Sequence, residues 1–241
     1  MAKSALRHRL AAWFAQRDLA LLSGALLLVA LGWAFAEISD EVLEGETKDL
    51  DDRILMALRD RADAADPIGP AWLEELGRDM TAMGGVLVLT TVTLSVVGFL
   101  LIQRKNHAAL FLALATGGAL IASLILKNSF DRPRPDVVPH LSHVMTSSFP
   151  SGHSMLSAAV YLTLGAMLAR MSQQKRLKLY FLGLAMLITL LVGVRRVYMG
   201  VHYPTDVLAG WTIGLAWALL CWLVARRLQR EGRVEQDATR Q

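Results

Sequence analysis

Six runs of apolar residues, each close to the length that crosses a bilayer, decide what this chain can become; they cover about 19–36, 84–102, 108–126, 154–169, 179–194 and 207–224. A membrane core takes roughly 17–25 such residues per helix, because only a helix or a closed barrel satisfies its own backbone where no water reaches. The fourth and fifth runs are short, so each must borrow a turn from its flanks. Apolar residues make up 54% of the 241 and charged residues 19%, which excludes a disordered polymer. Their grouping into blocks rather than amphipathic stripes argues against a water-soluble globule. The expected fold class is all-α, a six-span transmembrane helical bundle with a loop and short-helix segment outside the membrane between spans one and two. A single cysteine, Cys221, leaves no disulfide framework or thiolate zinc site and reads as a buried apolar side chain.

Cations set the orientation of such a bundle. With the N-terminus inside, fifteen of the 25 Lys/Arg fall on the cytoplasmic side. That places 1–18 as a cytoplasmic N-terminus, 19–225 as one membrane domain and 226–241 as a cytoplasmic tail, in the inner membrane. Lys3, Arg7, Arg9 and Arg17 precede the first run, and Ala34-Phe35-Ala36 resembles a signal-peptidase site. The run exceeds the 7–15 residues of a signal-peptide core, so a retained helix is expected. Segment 37–83 holds thirteen Asp/Glu between Asp40 and Asp79. There Leu50, Ile54 and Leu58 outline an amphipathic helix, resting on the membrane interface or solvated on the surface. The net charge of +4 is too small a bias to imply nucleic acid. Membrane lipids are the expected partners, and the oligomeric state stays open.

Two cationic clusters break the charge rule. Lys127, Arg132 and Arg134 follow span three, and Arg195 and Arg196 follow span five. Any one of these would read as a snorkelling anchor. The two loops are separated by two crossings, however, and so emerge on the same side. Pro133 and Pro135 stiffen the backbone around Arg134. Arg134 and Arg196 can grip a phosphate through paired N–H donors, and Lys127 adds a point charge. Pro150-Ser151-Gly152-His153 opens span four, where unpaired backbone amides favour an anion and glycine permits close approach. Pro204 suits the first position of span six. His202 then sits just ahead of that helix with Asp206 in its first turn, where the carboxylate can accept one imidazole N–H and leave the other nitrogen a free lone pair. Alone, a Pro-Ser-Gly-His more often starts a helix than catalyses, a His-x-x-x-Asp can be a surface hydrogen bond or a metal-ligand pair, and an Arg-Pro-Arg-Pro is usually a stiff loop. All three in this order on one membrane face are a strong signal.

The pattern Lys127-x6-Arg134-Pro135, Pro150-Ser151-Gly152-His153, Arg196-x5-His202-x3-Asp206 resembles the three-part signature of the type 2 phosphatidic acid phosphatase (PAP2) family. That family includes bacterial lipid phosphate phosphatases, and the signature is shared with glucose-6-phosphatase and vanadium haloperoxidases. The likeness runs from about 108 to 215. It implies catalysis by His202, His153 and Asp206, with phosphate held by Lys127, Arg134, Ser151, Gly152 and Arg196. In that scheme His202 forms a phosphohistidine, Asp206 orients its ring, and His153 protonates the leaving alkoxide and then activates water. Three cations are chemically sufficient for such a transfer, so no cofactor and no metal is expected. The substrate would be a lipid phosphate: phosphatidate, phosphatidylglycerophosphate, lysophosphatidate or a polyprenyl (di)phosphate. Arg195, where many relatives carry a small residue, departs from the pattern, and whether it adds charge to the site stays open.

Two other readings stay open. One is an ion-coupled transporter using the His/Asp pair as a proton relay; the other is a phospholipid-binding scaffold. In span six, Asp206, Gly210 and Gly214 share one helical face. The glycines would let span four pack closely through Ser154, Ala158 and Gly165. His140 and His143 read as solvated loop residues, and Trp72, Trp211, Trp217 and Trp222 as interface or packing residues.

Overall fold

The computed structural model describes residues 19–138 and 147–230. His140 and His143, the N-terminal segment 1–18 and most of the C-terminal tail lie outside the described residues. Within them the chain forms eight helices: α1 (Leu19–Glu44), α2 (Lys48–Ala57), α3 (Ala71–Ala82), α4 (Val86–Ile102), α5 (Asn106–Ser129), α6 (Gly152–Met171), α7 (Lys175–Tyr198) and α8 (Pro204–Arg230). Five of them (α1, α5, α6, α7 and α8) are long and apolar enough to cross a membrane, and α3 with α4, bent by 52° at their junction, gives a sixth if the pair is counted as one span. The protein is a multi-pass membrane protein. Its outer surface carries large exposed side chains such as Leu87 (80%) and Ile102 (82%), which only lipid would solvate favourably.

Helix α6, the least apolar of these spans, is also the most buried. Its small residues explain both properties: they lower its hydropathy and let α5, α7 and α8 close around it. A Cβ placed on Gly210 of α8 would lie 2.6 Å from the Ser151 carbonyl oxygen and 2.9 Å from Ser154 Cβ, and one on Gly214 would lie 2.7 Å from Ala158 Cβ. The expected face-to-face packing of α6 and α8 is therefore present, with one correction. Gly165 faces α7 instead, where its Cβ would meet Ala185 Cβ at 2.9 Å, because further along α6 the same side of the helix meets α7 rather than α8. Since Gly210 touches backbone that cannot retract, Gly210→Leu should separate the two helices and cost at least ~1–3 kcal/mol, the usual range for overpacking. Thermal unfolding of the detergent-solubilised protein measures this; an unchanged midpoint with full activity would mean the contact is not tight.

Helix α1 runs unbroken through Ala34–Ala36 and packs along α8. Phe35 stacks on Phe149 with ring centroids 6.1 Å apart, while Phe130 meets Phe149 edge-on at 4.9 Å. These rings brace the segments on either side of the loop between α5 and α6. Trp211 donates to the Thr189 carbonyl on α7 and Trp217 to the Ala115 carbonyl on α5, so both are packing residues; Trp72 is exposed.

The outer segment contains the expected amphipathic helix, α2, and a buried face that the apolar spacing did not single out. Leu50 and Ile54 are exposed. Asp51 and Leu55 point inward, and Leu55 joins Val197, Tyr203 and Val207 with Leu58 alongside. A carboxylate at the head of that buried face offsets an apolar periodicity count, which is why the stripe one residue earlier looked better. Further on, Arg59 donates to the Tyr198 carbonyl (2.9 Å) and fastens this segment to the end of α7.

Candidate active site

Three chain breaks bring the site together. Helix α5 stops when Phe130 turns extended, ahead of Pro133 and Pro135. Ser151 is the extended residue before α6, and Pro204 opens α8. Ser151 N–H donates to the Asp206 carbonyl (3.0 Å), tying the start of α6 to the first turn of α8.

His202 is 1% exposed and sits at the centre. Its Nδ1 lies 3.4 Å from Asp206 Oδ2, and its Nε2 lies 3.4 Å from the Arg134 guanidinium. With the carboxylate as acceptor, Nδ1 carries the proton and the Nε2 lone pair faces the cations. Burial holds the imidazole well below its ordinary pKa, with Asp206 pulling the other way, so the ring is neutral at neutral pH. Asp206 Oδ2 also accepts from the Tyr203 amide (2.9 Å) and from the Ser148 hydroxyl.

The predicted cations surround the free side of the ring. Arg134 donates to the Val201 carbonyl (2.7 Å), and Lys127 Nζ to the Ser147 carbonyl (3.1 Å). Arg134 and Arg196 lie within electrostatic reach of both Lys127 and His202, and His153 within reach of all four. Gly152 makes room for this: a Cβ there would sit 2.8 Å from Lys127 Cε. Arg196 is 3% exposed, its Nε has no hydrogen-bond partner, and no side-chain hydrogen bond from it is seen among the described residues. A buried guanidinium left in that state is costly unless an anion completes it. His153 lies under the junction of α3 and α4, with Nε2 4.0 Å from where a Gly85 Cβ would be.

One expectation needs correction. The Ser151 amide cannot donate to phosphate because the Asp206 carbonyl already takes it; the Ser151 hydroxyl, which accepts from Ser154 (3.0 Å), keeps its own proton to give. Arg195 does not add charge to the site. It lies on the other side of α7, over the Tyr198 ring (4.4 Å) and bonded to the Leu73 carbonyl of α3, since adjacent residues on a helix point about 100° apart.

Sequence reasoning missed four residues: Ser148, Arg132, Asp51 and Thr205. Arg132 bridges Asp206 Oδ1 (2.6 Å) and Asp51 Oδ2 (2.7 Å), and its guanidinium covers the Tyr203 ring at 4.2 Å. Burial by itself would lower its pKa; Asp206 and Asp51 outweigh that and hold it above the ordinary value. Among the described residues no three His, Cys, Asp or Glu converge as metal ligands.

The family model of the PAP2 superfamily matches residues 107–230, the stretch that carries all three parts of this site. The chain belongs to the PAP2 superfamily. One PAP2 relative, phosphatidylglycerophosphatase B of Bacillus subtilis (strain 168), is 36% identical over 165 residues, 67% of this chain and 78% of that protein. A lipid A 1-phosphatase of Rhizobium etli is 29% identical over 189 residues, covering 67% of this chain and 77% of its own. The crystal structure of a transmembrane PAP2 type phosphatidylglycerolphosphate phosphatase from Bacillus subtilis matches with a TM-score of 0.76 at 29% identity, covering 84% of this chain and 98% of that one. Aquifex aeolicus LpxE matches at a TM-score of 0.52 and 25% identity, over 71% and 92% of the two chains.

Proposed function

We propose that this PAP2 protein is a membrane phosphatase that removes phosphate from a lipid phosphomonoester or diphosphate through a phosphohistidine. The observation that carries the reading is the buried, neutral His202 with Asp206 behind Nδ1 and cations on the side of Nε2, among them the buried Arg196, whose Nε has no hydrogen-bond partner among the described residues. The Nε2 lone pair attacks phosphorus in line; the P–O ester bond breaks as His153 gives its proton to the departing oxygen. Lys127, Arg134 and Arg196 carry the charge on the equatorial oxygens, aided by the Ser151 hydroxyl and the Gly152 amide. Water then gives a proton to His153, attacks phosphorus and breaks the P–N bond, returning His202 and inorganic phosphate. Asp206 balances the positive ring throughout.

Ionisable groups of the spanning helices occupy end turns rather than the bilayer centre, which disfavours a transmembrane proton relay. The charge distribution supports a site at the outer leaflet of the inner membrane with both termini inside. The carboxylates nearest His202, Asp206 and Asp51, are both held by Arg132 and do not form a free pair for a divalent ion, so the reaction runs on fixed cations alone. Phosphate release from purified protein tests this across phosphatidate, phosphatidylglycerophosphate, lysophosphatidate and polyprenyl mono- and diphosphates. Turnover inhibited by vanadate and unaffected by EDTA is expected. Loss in EDTA restored by Mg²⁺ would contradict the metal-free scheme, and binding without turnover would favour a scaffold.

A further inference from the structure

The outer segment supplies part of the site from a distance in sequence. Asp51 of α2 is fully buried, and both its oxygens are engaged. Oδ1 accepts the Thr205 amide (3.1 Å), one of the first-turn N–H groups that α8 itself cannot satisfy. Oδ2 accepts the Thr205 hydroxyl (2.6 Å) and one arm of Arg132 (2.7 Å). The other arm of Arg132 holds Asp206 Oδ1 (2.6 Å) and the Thr205 hydroxyl (2.8 Å). Asp206 is thereby fixed at both ends, by Arg132 on Oδ1 and by His202, Ser148 and the Tyr203 amide on Oδ2.

The charges matter as much as the geometry. Arg132 alone beside Asp206 would neutralise the carboxylate that has to face a positive ring. A second carboxylate on the opposite arm shares the guanidinium, so the trio of Asp51, Arg132 and Asp206 keeps a net negative charge behind His202. In a buried site that charge acts at close to full strength. We infer that Asp51 and Arg132 are positioning residues for the phosphotransfer step, and that α2 is therefore a working part of the site rather than a surface decoration. The inference rests on the phosphohistidine reading above and adds to it a contribution from outside the stretch matched by the family model.

The test compares parent, Asp51→Asn, Thr205→Val and His202→Ala, each purified in detergent and assayed for phosphate release from phosphatidylglycerophosphate and phosphatidate. Asp51→Asn keeps the shape and the contact with the Thr205 amide but removes the charge. Its kcat should fall about 10- to 100-fold with KM within about threefold, while the unfolding transition stays cooperative. A purely structural role would lower the yield of folded protein and leave kcat per folded molecule unchanged. Folded Asp51→Asn with kcat within twofold of the parent overturns the inference. Should Asp51→Asn not fold, Thr205→Val decides: it loses the hydroxyl bridging Asp51 and Arg132, so roughly a tenfold lower kcat supports the proposal and full activity overturns it. An active His202→Ala would instead sink the phosphohistidine reading, so the two failures are distinguishable.

Discussion

A His202→Ala variant releases no phosphate above background from any lipid that the parent hydrolyses. No other nucleophile is available on that side of the ring: the neighbours of Nε2 are cations, and His153 belongs to a different helix under the junction of α3 and α4. Enzymes with covalent nucleophiles lose many orders of magnitude on such a change, because residual catalysis comes only from charge and binding. The checks are phosphate release and base-quenched labelling with a ³²P-lipid. The parent should carry an acid-labile, base-stable label and the variant none. Near-normal turnover in the variant would end the covalent scheme.

Arg196→Ala gives the second large effect, a fall of about 10²–10³ in kcat, the usual consequence of removing one preorganised electrostatic donor. Arg196 is suited to this role because it is buried with its Nε unpartnered, so its donors reach full use only when the anion is present. Arg196→Lys should recover part of the loss, since an ammonium restores the charge without the planar fork. Steady-state rates for the three proteins measure this; equal kcat in Arg196→Ala and parent would remove Arg196 from the mechanism. Folding should not suffer much from Arg196→Ala, because among the described residues no carboxylate is ion-paired with Arg196 and would be stranded by the change.

The comparison of expectation with structure divides by the range of the forces involved. Span positions were legible because bilayer solvation acts on each segment alone, and five of the six runs became single long helices. The exception, the second, continues past Gly84 and Gly85 into α3 at an angle, and the backbone there is set by what surrounds it, including the Tyr161 hydroxyl bonded to the Met83 carbonyl (2.7 Å). The positions of His202, Asp206 and Gly152 relative to their helix starts followed from capping chemistry and the fixed φ of proline, and the structure reproduces them. Arg134 beside His202 was also legible, since parity of crossings puts the two loops at one end.

Asp51 was not legible. It is one of thirteen acidic residues in its segment, and nothing local separates it from its neighbour Asp52. Arg132 stood in view just before Pro133 yet gave no sign that it would hold two carboxylates rather than a phosphate. The place of Arg195 was undecided in the sequence for a related reason: two arginines stand side by side, and only packing says which faces the site and which covers Tyr198.

What the sequence determined by itself was everything written in solvation and backbone chemistry: the number of spans, the helix starts, and the end of the bundle where histidines and cations gather. Which charges meet which was decided only by the tertiary structure. A buried polar network depends on positions contributed by segments up to about 150 residues apart, as with Asp51 and Thr205, and no local pattern encodes that proximity.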